Sequence, residues 1–228
     1  MNTVDNLQPV VVPSLNDVVY HVLRERILRR EFAPGERLDL DEMEKRLQVS
    51  RTPLKDALNR LQAEGLIKIV ARRGTFVTRP DAKMLDEAYK IRSAYELYVA
   101  LCIFKYLTPE DYLFFEQIHM QMEALASGGR WQTVADEYLS LDQQLHERLV
   151  LRGGTPRMLH LYQQTNVHAY VQLLIPCFSD RDFEITHFEH EQIFAALSIQ
   201  APDRLNAALL NHLEGARLRA ARVFDCST

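Results

Sequence analysis

In the stretch "VSRTPLKDALNRLQAEGL", Leu54, Ala57, Leu58 and Leu61 fall at the i, i+3, i+4 and i+7 spacing of one helical face. Thr52, Lys55, Asp56 and Asn59 repeat that spacing on another face, which carries nothing apolar. Upstream, "DVVYHVLRERILRRE" predicts a helix with Val18, Val22, Leu23 and Ile27 on one stripe and either Ser14 or Asn16 as its cap. "FAPGERL" ends it, because proline and glycine set a turn. "DLDEMEKRL" predicts a short helix with acidic residues in its first turn, where the helix dipole favours them. Beyond Leu61 come a turn at Gly65 and two short β-type runs, "LIKIV" and "TFVTRP", joined by "ARRG", which together predict a hairpin. Helix, helix, turn, helix, hairpin is the order of a winged helix-turn-helix.

From Asp81 onward no run reads as a strand. Helical patterning is expected at about 82–105, 108–127, 131–152, 154–178, 182–198 and 201–224, separated by Pro109, "SGGR", "GGTP", Pro176 and Pro202. The expected fold is therefore mainly α: an N-terminal winged helix-turn-helix followed by an all-α bundle of six to seven helices. Expected domains are a flexible arm over 1–15, the winged module over 16–80, and the helical domain over 81–228.

Charge adds to this division. Residues 1–80 hold 14 Lys+Arg against 11 Asp+Glu, whereas residues 81–228 hold 13 against 20, so a net charge of −4 hides a basic module ahead of an acidic one. Composition is that of a globular protein, at 47% hydrophobic and 25% charged residues. No apolar run is long enough to span a membrane, and the amino terminus lacks a basic signal-peptide start. Three cysteines with no close spacing, two of them (Cys102 and Cys177) in apolar helical stretches, predict buried thiols and a cytoplasmic location.

The polar face of the helix after Val49 is free to enter a DNA major groove. Ser50 or Thr52 can cap its start, and Pro53 is tolerated in the first turn. Arg51 and Lys55 can reach guanine edges or phosphates, and Thr52 can reach either. Arg72, Arg73 and Gly74 at the hairpin tip are placed to touch the backbone or enter the minor groove. The sequence from "FAPGERL" to "RRGTFV" resembles the winged helix-turn-helix of GntR-family bacterial regulators. The matching pattern is PG-x-x-L, then V-S-R-T-P-L-K-D-A-L-x-R-L-x-x-x-G-L, then R-G-x-F-V, over about residues 16–79. The resemblance implies DNA contact by Arg51, Thr52, Lys55, Arg73 and Gly74. Lys55 stands for the usual Arg, which removes bidentate geometry. Glu44 replaces a small Ala, and Gln48 a turn Gly.

The helical half carries candidate metal chemistry. Asp142 and His146 are at i and i+4, "HFEHEQIFAAL" adds His187 and His190, and "ALLNHLEGA" adds His212. A carboxylate and imidazoles converging from three helices would suit Zn²⁺, Ni²⁺ or another borderline divalent ion. His146 lies among Leu141, Leu145 and Leu149, and His212 among Leu209, Leu210 and Leu213, which points both toward buried ground. His160 and His168 are expected in packing or solvent-facing roles. Tyr95, Tyr98, Tyr138 and Tyr170 are candidates to line a pocket or to fill the core. Residues 85–215 resemble the FCD ligand-binding domain of the FadR-type subfamily, through "IRSAYE", the Asp142/His146 pair, Glu189-His190 and His212-Leu213. That resemblance implies Asp142, His146, His190 and His212 as metal ligands, His190 being preferred over His187 because Glu189 precedes it. It also implies a small carboxylate effector on the metal, assisted by Arg92. Thr155 replaces the family's usual Asn before a Pro.

The function expected is a ligand-responsive regulator that binds operator DNA as a homodimer. The competing class is a metal-dependent hydrolase or lyase built on the Asp/His cluster. No G-x-S-x-G, P-loop, G-x-G-x-x-G or H-E-x-x-H occurs, and no general base is specified beside the cluster.

Overall fold

The computed structural model describes residues 14–225, so most of the expected arm and Cys226 lie outside the described residues. The chain divides into two compact units, one ending at Thr78 and the other beginning at Arg79.

In the first unit, α1 (Leu15–Leu28) is capped by the Ser14 hydroxyl, which accepts from the Asp17 N–H at 3.2 Å. The buried stripe of α1 is Val19, Tyr20, Leu23 and Ile27, and Val18 is exposed, one residue off the predicted register. A two-residue strand, β1 (Arg37–Leu38), precedes α2 (Leu40–Leu47) and α3 (Arg51–Ala63). Leu54, Ala57, Leu58 and Leu61 of α3 are all buried, as its periodicity requires. Each such leucine contributes about 1.5–3 kcal/mol of burial free energy. Ser50 occupies the cap position of α3 without a side-chain cap hydrogen bond, and Thr52 lies inside the helix, so the predicted cap does not form. β2 (Ile67–Val70) and β3 (Gly74–Val77) make the hairpin, and β1 joins its other edge in the antiparallel order β1-β3-β2.

Gln48 ends α2 with φ 53°, the left-handed conformation that a glycine takes without strain. This gives the Gly-to-Gln departure a definite conformational consequence.

The second unit is built from α4 (Ala82–Ala100), α5 (Pro109–Gly128), α6 (Trp131–Gly153), α7 (Pro156–Gln163), α8 (Val167–Leu173), α9 (Asp180–Ser198) and α10 (Pro202–Asp225). Its main core contains Met122, Tyr138, Leu145, Leu149, Ile193 and Leu209, and a second cluster gathers Leu85, Tyr89, Val167, Tyr170 and Ala220. Gly153 permits the close approach of α6 to α4, since a Cβ there would stand 2.5 Å from Val99 Cβ. Thr155 starts α7 by accepting from the Met158 N–H at 3.2 Å, so the departure from Asn keeps a capping side chain.

Three expectations are corrected. The first helical run ends at Ala100, before a 3₁₀ turn at Ile103–Lys105. The single helix expected over 154–178 is broken at Gln164–Asn166, where Asn166 takes φ 53°, a conformation asparagine tolerates better than most residues. Pro176 then leaves Cys177 exposed in a 3₁₀ turn, and Cys102 is half-buried, so neither is a fully buried thiol. Among the described residues no helix is long and apolar enough to cross a membrane.

Candidate metal centre and DNA-reading head

On α3, Thr52, Lys55 and Asn59 are exposed and Asp56 is half-buried, so the polar face stays open. Arg51 is not idle in the free chain. Its guanidinium meets Asp41 at 2.7 Å and Glu44 at 2.8 Å, and these carboxylates raise its pKa. Sequence reasoning missed this pairing, although Glu44 was the visible departure. At the hairpin tip Arg72, with φ 61°, and Arg73 are exposed. Gly74 has φ 118° and touches Arg37: a Cβ there would sit 2.8 Å from Arg37 Nε. Arg37 thus joins the basic wing through the short strand β1, which no alternation pattern reveals.

In the helical unit, α6 presents Asp142 and His146, α9 presents His190 and α10 presents His212, all of them buried. Their donor atoms lie within 4.8 Å of one another. Asp142 Oδ1 is the common point: His190 Nε2 stands 2.7 Å away, His146 Nε2 3.5 Å and His212 Nε2 3.9 Å.

Each ring is held from behind by its other nitrogen. His146 Nδ1–H donates to Glu96 at 2.6 Å, and His212 Nδ1–H donates to Glu189 at 3.2 Å. A carboxylate can only accept here, so in the neutral rings both Nε2 atoms carry the lone pair that a metal needs. His190 Nδ1 lies 3.0 Å from the Tyr138 hydroxyl. The carboxylates are anchored in turn. Glu96 accepts from Arg92 Nε at 2.6 Å and from Tyr162 at 2.8 Å, and Glu189 accepts from Arg219 at 2.8 and 2.5 Å.

The electrostatics follow from this shell. Burial opposes ionisation of Asp142, but His146 and the other imidazoles around it hold its pKa well below the usual carboxylate range. Burial likewise opposes charge on His146, yet Glu96 and Asp142 outweigh it and raise its pKa. Burial dominates at His190 and His212 and holds both below the ordinary histidine value.

The decisive feature is unfinished bonding. The Nε2 atoms of His146, His190 and His212 are buried and make no hydrogen bond, despite their closeness to Asp142. An unsatisfied buried polar atom costs about 1–3 kcal/mol. Three nitrogens and one carboxylate oxygen, each nitrogen oriented by an outer partner, match the donor set of a borderline divalent cation.

Arg92 is buried against Glu96, with Nη2 unpartnered and 3.8 Å from Asp142 Oδ2. Its Nε is committed to Glu96, so only the other edge of the guanidinium is left without a hydrogen bond. The break before α8 brings in a residue that sequence reasoning had assigned to packing or solvent. His168 is buried with Nε2 2.9 Å from Asp142 Oδ2, whereas His160 stays exposed. A cavity of about 60 Å³ opens here, lined by Arg92, Asp142, His168, Phe178, His212 and Arg219 among others.

Other expected pocket residues disperse. Tyr98 is 62% exposed, Tyr95 packs at the edge of the main core and Tyr170 joins the second cluster. Leu210, expected beside His212 in the interior, is 52% exposed.

The family model for "Bacterial regulatory proteins, gntR family" matches residues 15–77, and that for "FCD domain" matches residues 87–215, more than half of the chain. The chain belongs to the GntR family, with an FCD domain. It is 29% identical over 194 residues to the uncharacterized HTH-type transcriptional regulator YdhC of Bacillus subtilis, covering 85% of each chain. It is 28% identical over 183 residues to the Nta operon transcriptional regulator of Aminobacter aminovorans, covering 80% of this chain and 83% of that one. A GntR-type transcriptional regulator from Rhodococcus sp. RHA1 shares the fold with a TM-score of 0.77 at 21% identity, over 95% of this chain and 100% of that one. As a GntR/FCD protein the chain is a DNA-binding transcriptional regulator and not an enzyme. The hydrolase or lyase alternative finds no support among its relatives.

Proposed function

We propose that this GntR regulator binds operator DNA as a homodimer, and that a small organic acid bound near a divalent ion in its FCD domain modulates that binding. In this reading residues 16–80 form the DNA-binding domain, and residues 81–228 hold the effector and the dimer contacts. The observation that carries the reading is the set of buried, unpartnered imidazole Nε2 atoms around Asp142. Asp142, His146, His190 and His212 would hold the ion, Zn²⁺ or Ni²⁺. Bound there, it would supply a Lewis-acidic centre for a carboxylate oxygen. Arg92 Nη2 faces the same cavity and gives an anionic group a further donor, with His168 lining the wall beside it. The cavity has room for a handful of waters, a scale that suits a small acid.

On DNA, Thr52 and Lys55 face the groove from α3, and Arg72, Arg73 and Gly74 approach the backbone from the wing. Arg51 reaches DNA by giving up its pairs with Asp41 and Glu44. Solvent screens exposed pairs of this kind, so their release is inexpensive. One winged module reads a half-site, hence the dimer. Footprinting on the DNA upstream of its own gene should show two protected half-sites related by a pseudo-two-fold axis. A sedimentation result of one monomer per DNA would contradict the proposal.

A further inference from the structure

A second cluster of metal-type donors lies outside the cavity, on the neighbouring helices α5 and α9. Here His187 Nε2 stands 3.0 Å from Glu123 Oε2 and 3.8 Å from Glu191 Oε1. One donor atom from each of the three residues lies within 4.8 Å of the other two. Zinc bonds of about 2.0–2.2 Å place neighbouring donors of a tetrahedral ion roughly 3.3–3.6 Å apart. The cluster is therefore close to the required spacing before any ion draws it in.

The cluster is also built as metal sites are, with outer partners orienting the inner ones. His187 Nδ1 lies 3.1 Å from the Tyr138 hydroxyl, which turns Nε2 toward the two carboxylates. His119 lies one turn before Glu123 on α5. Its ring stacks on Phe194 at 4.5 Å, and its Nε2 is 2.7 Å from Glu191 Oε1. Glu191 Oε1, the oxygen that also faces His187, is thus held in place by His119. Among the described residues, the ion-pair partners of Glu123 and Glu191 are histidines, with no lysine or arginine to neutralise them. The two carboxylates offer the negative charge that a divalent ion neutralises. His187 is mostly buried while Glu123 is more than half exposed, so water can complete the coordination.

We propose that Glu123, His187 and Glu191 form a second divalent-cation site, solvent-accessible and exchangeable, that takes zinc with water as the remaining ligand. It shares one group with the inner cluster: the Tyr138 hydroxyl reaches His187 on one side and His190 on the other. Occupancy of the outer site is thereby linked to the orientation of an inner-cluster histidine.

The test is calorimetric titration of Zn²⁺ into the full-length, chelator-stripped protein, with elemental analysis of the titrated samples. The wild type should show two binding events per chain. Glu123→Gln with Glu191→Gln should abolish the weaker event and keep the tighter. His146→Ala with His212→Ala, which leaves Tyr138 and the outer cluster untouched, should keep the weaker event alone. Glu123→Gln by itself, a change at an exposed position that guards against misfolding of the double variant, should weaken it about tenfold or more. Two unchanged events in the Glu123/Glu191 double variant would overturn the proposal. So would the absence of any zinc in the His146/His212 variant. Zinc retained by that variant, in a wild type that binds only one ion, would uphold the outer site and refute the inner one.

Discussion

Replacing Glu96 with Gln probes the shell around the inner cluster. Glu96 is fully buried and accepts from Arg92 at 2.6 Å, His146 at 2.6 Å and Tyr162 at 2.8 Å. Removing its charge leaves the Arg92 guanidinium in the interior, with Asp142 at 3.8 Å as the nearest remaining carboxylate in its ion-pair set. Breaking a buried ion pair by removing one partner costs about 3–5 kcal/mol. The glutamine oxygen can still accept from Arg92 or Tyr162, which favours the lower part of that range. Its amide nitrogen is a donor, however, and cannot accept from His146 Nδ1–H. At about 2–4 °C per kcal/mol for a domain of this size, melting should fall by on the order of 10 °C. Loss of the group that fixes the His146 tautomer should also weaken zinc binding about 10–100-fold. Circular-dichroism melting and zinc competition against a chromophoric chelator read the two effects separately. A variant that melts within about 2 °C of wild type and binds zinc equally well would show that Glu96 neither compensates Arg92 nor orients His146.

Lys55→Ala should weaken operator binding and reduce the slope of log affinity against log salt by about 0.9 if it meets a phosphate; unchanged affinity and an unchanged slope in a gel-shift salt series would remove it from the interface. Gln48→Gly should stabilise the amino-terminal unit by up to about 1 kcal/mol, because glycine relieves the left-handed strain and gives back part of the gain as chain entropy. A lower urea midpoint for that variant would show that the Gln48 side chain makes a contact of its own. Zinc affinity should fall as pH decreases. His146, with its pKa raised above 6.5, takes up a proton first and must release it to ligate, whereas His190 and His212 stay neutral to lower pH. The fall should therefore begin above pH 6.5, and an affinity that is flat from pH 8 to 6 would contradict the assignment of His146 as a ligand.

Helical periodicity made most of the scaffold legible. Leu54, Ala57, Leu58 and Leu61 announce α3, and the i, i+4 pair Asp142/His146 announces the α6 face of the inner cluster. What stayed hidden depended on tertiary geometry. β1 is two residues long, too short for any alternation, and so Arg37 was missed beside the wing. The break at Asn166 rests on one left-handed residue, without proline or glycine to signal it, and so the place of His168 beside Asp142 was not legible. Glu96, Glu189 and Tyr138 were noticed in sequence, but their role as partners of His146, His212 and His190 requires contacts across 50, 23 and 52 residues. No local spacing encodes these.

Asp142, His146, His190 and His212 are proposed to hold a divalent ion. Elemental analysis of the full-length protein, dialysed against a weak chelator to strip exposed sites, tests it most directly. One tightly held ion per chain is expected in the wild type and none after His146→Ala with His190→Ala. A double variant that keeps a full equivalent of metal under the same dialysis would place the ion elsewhere and contradict it.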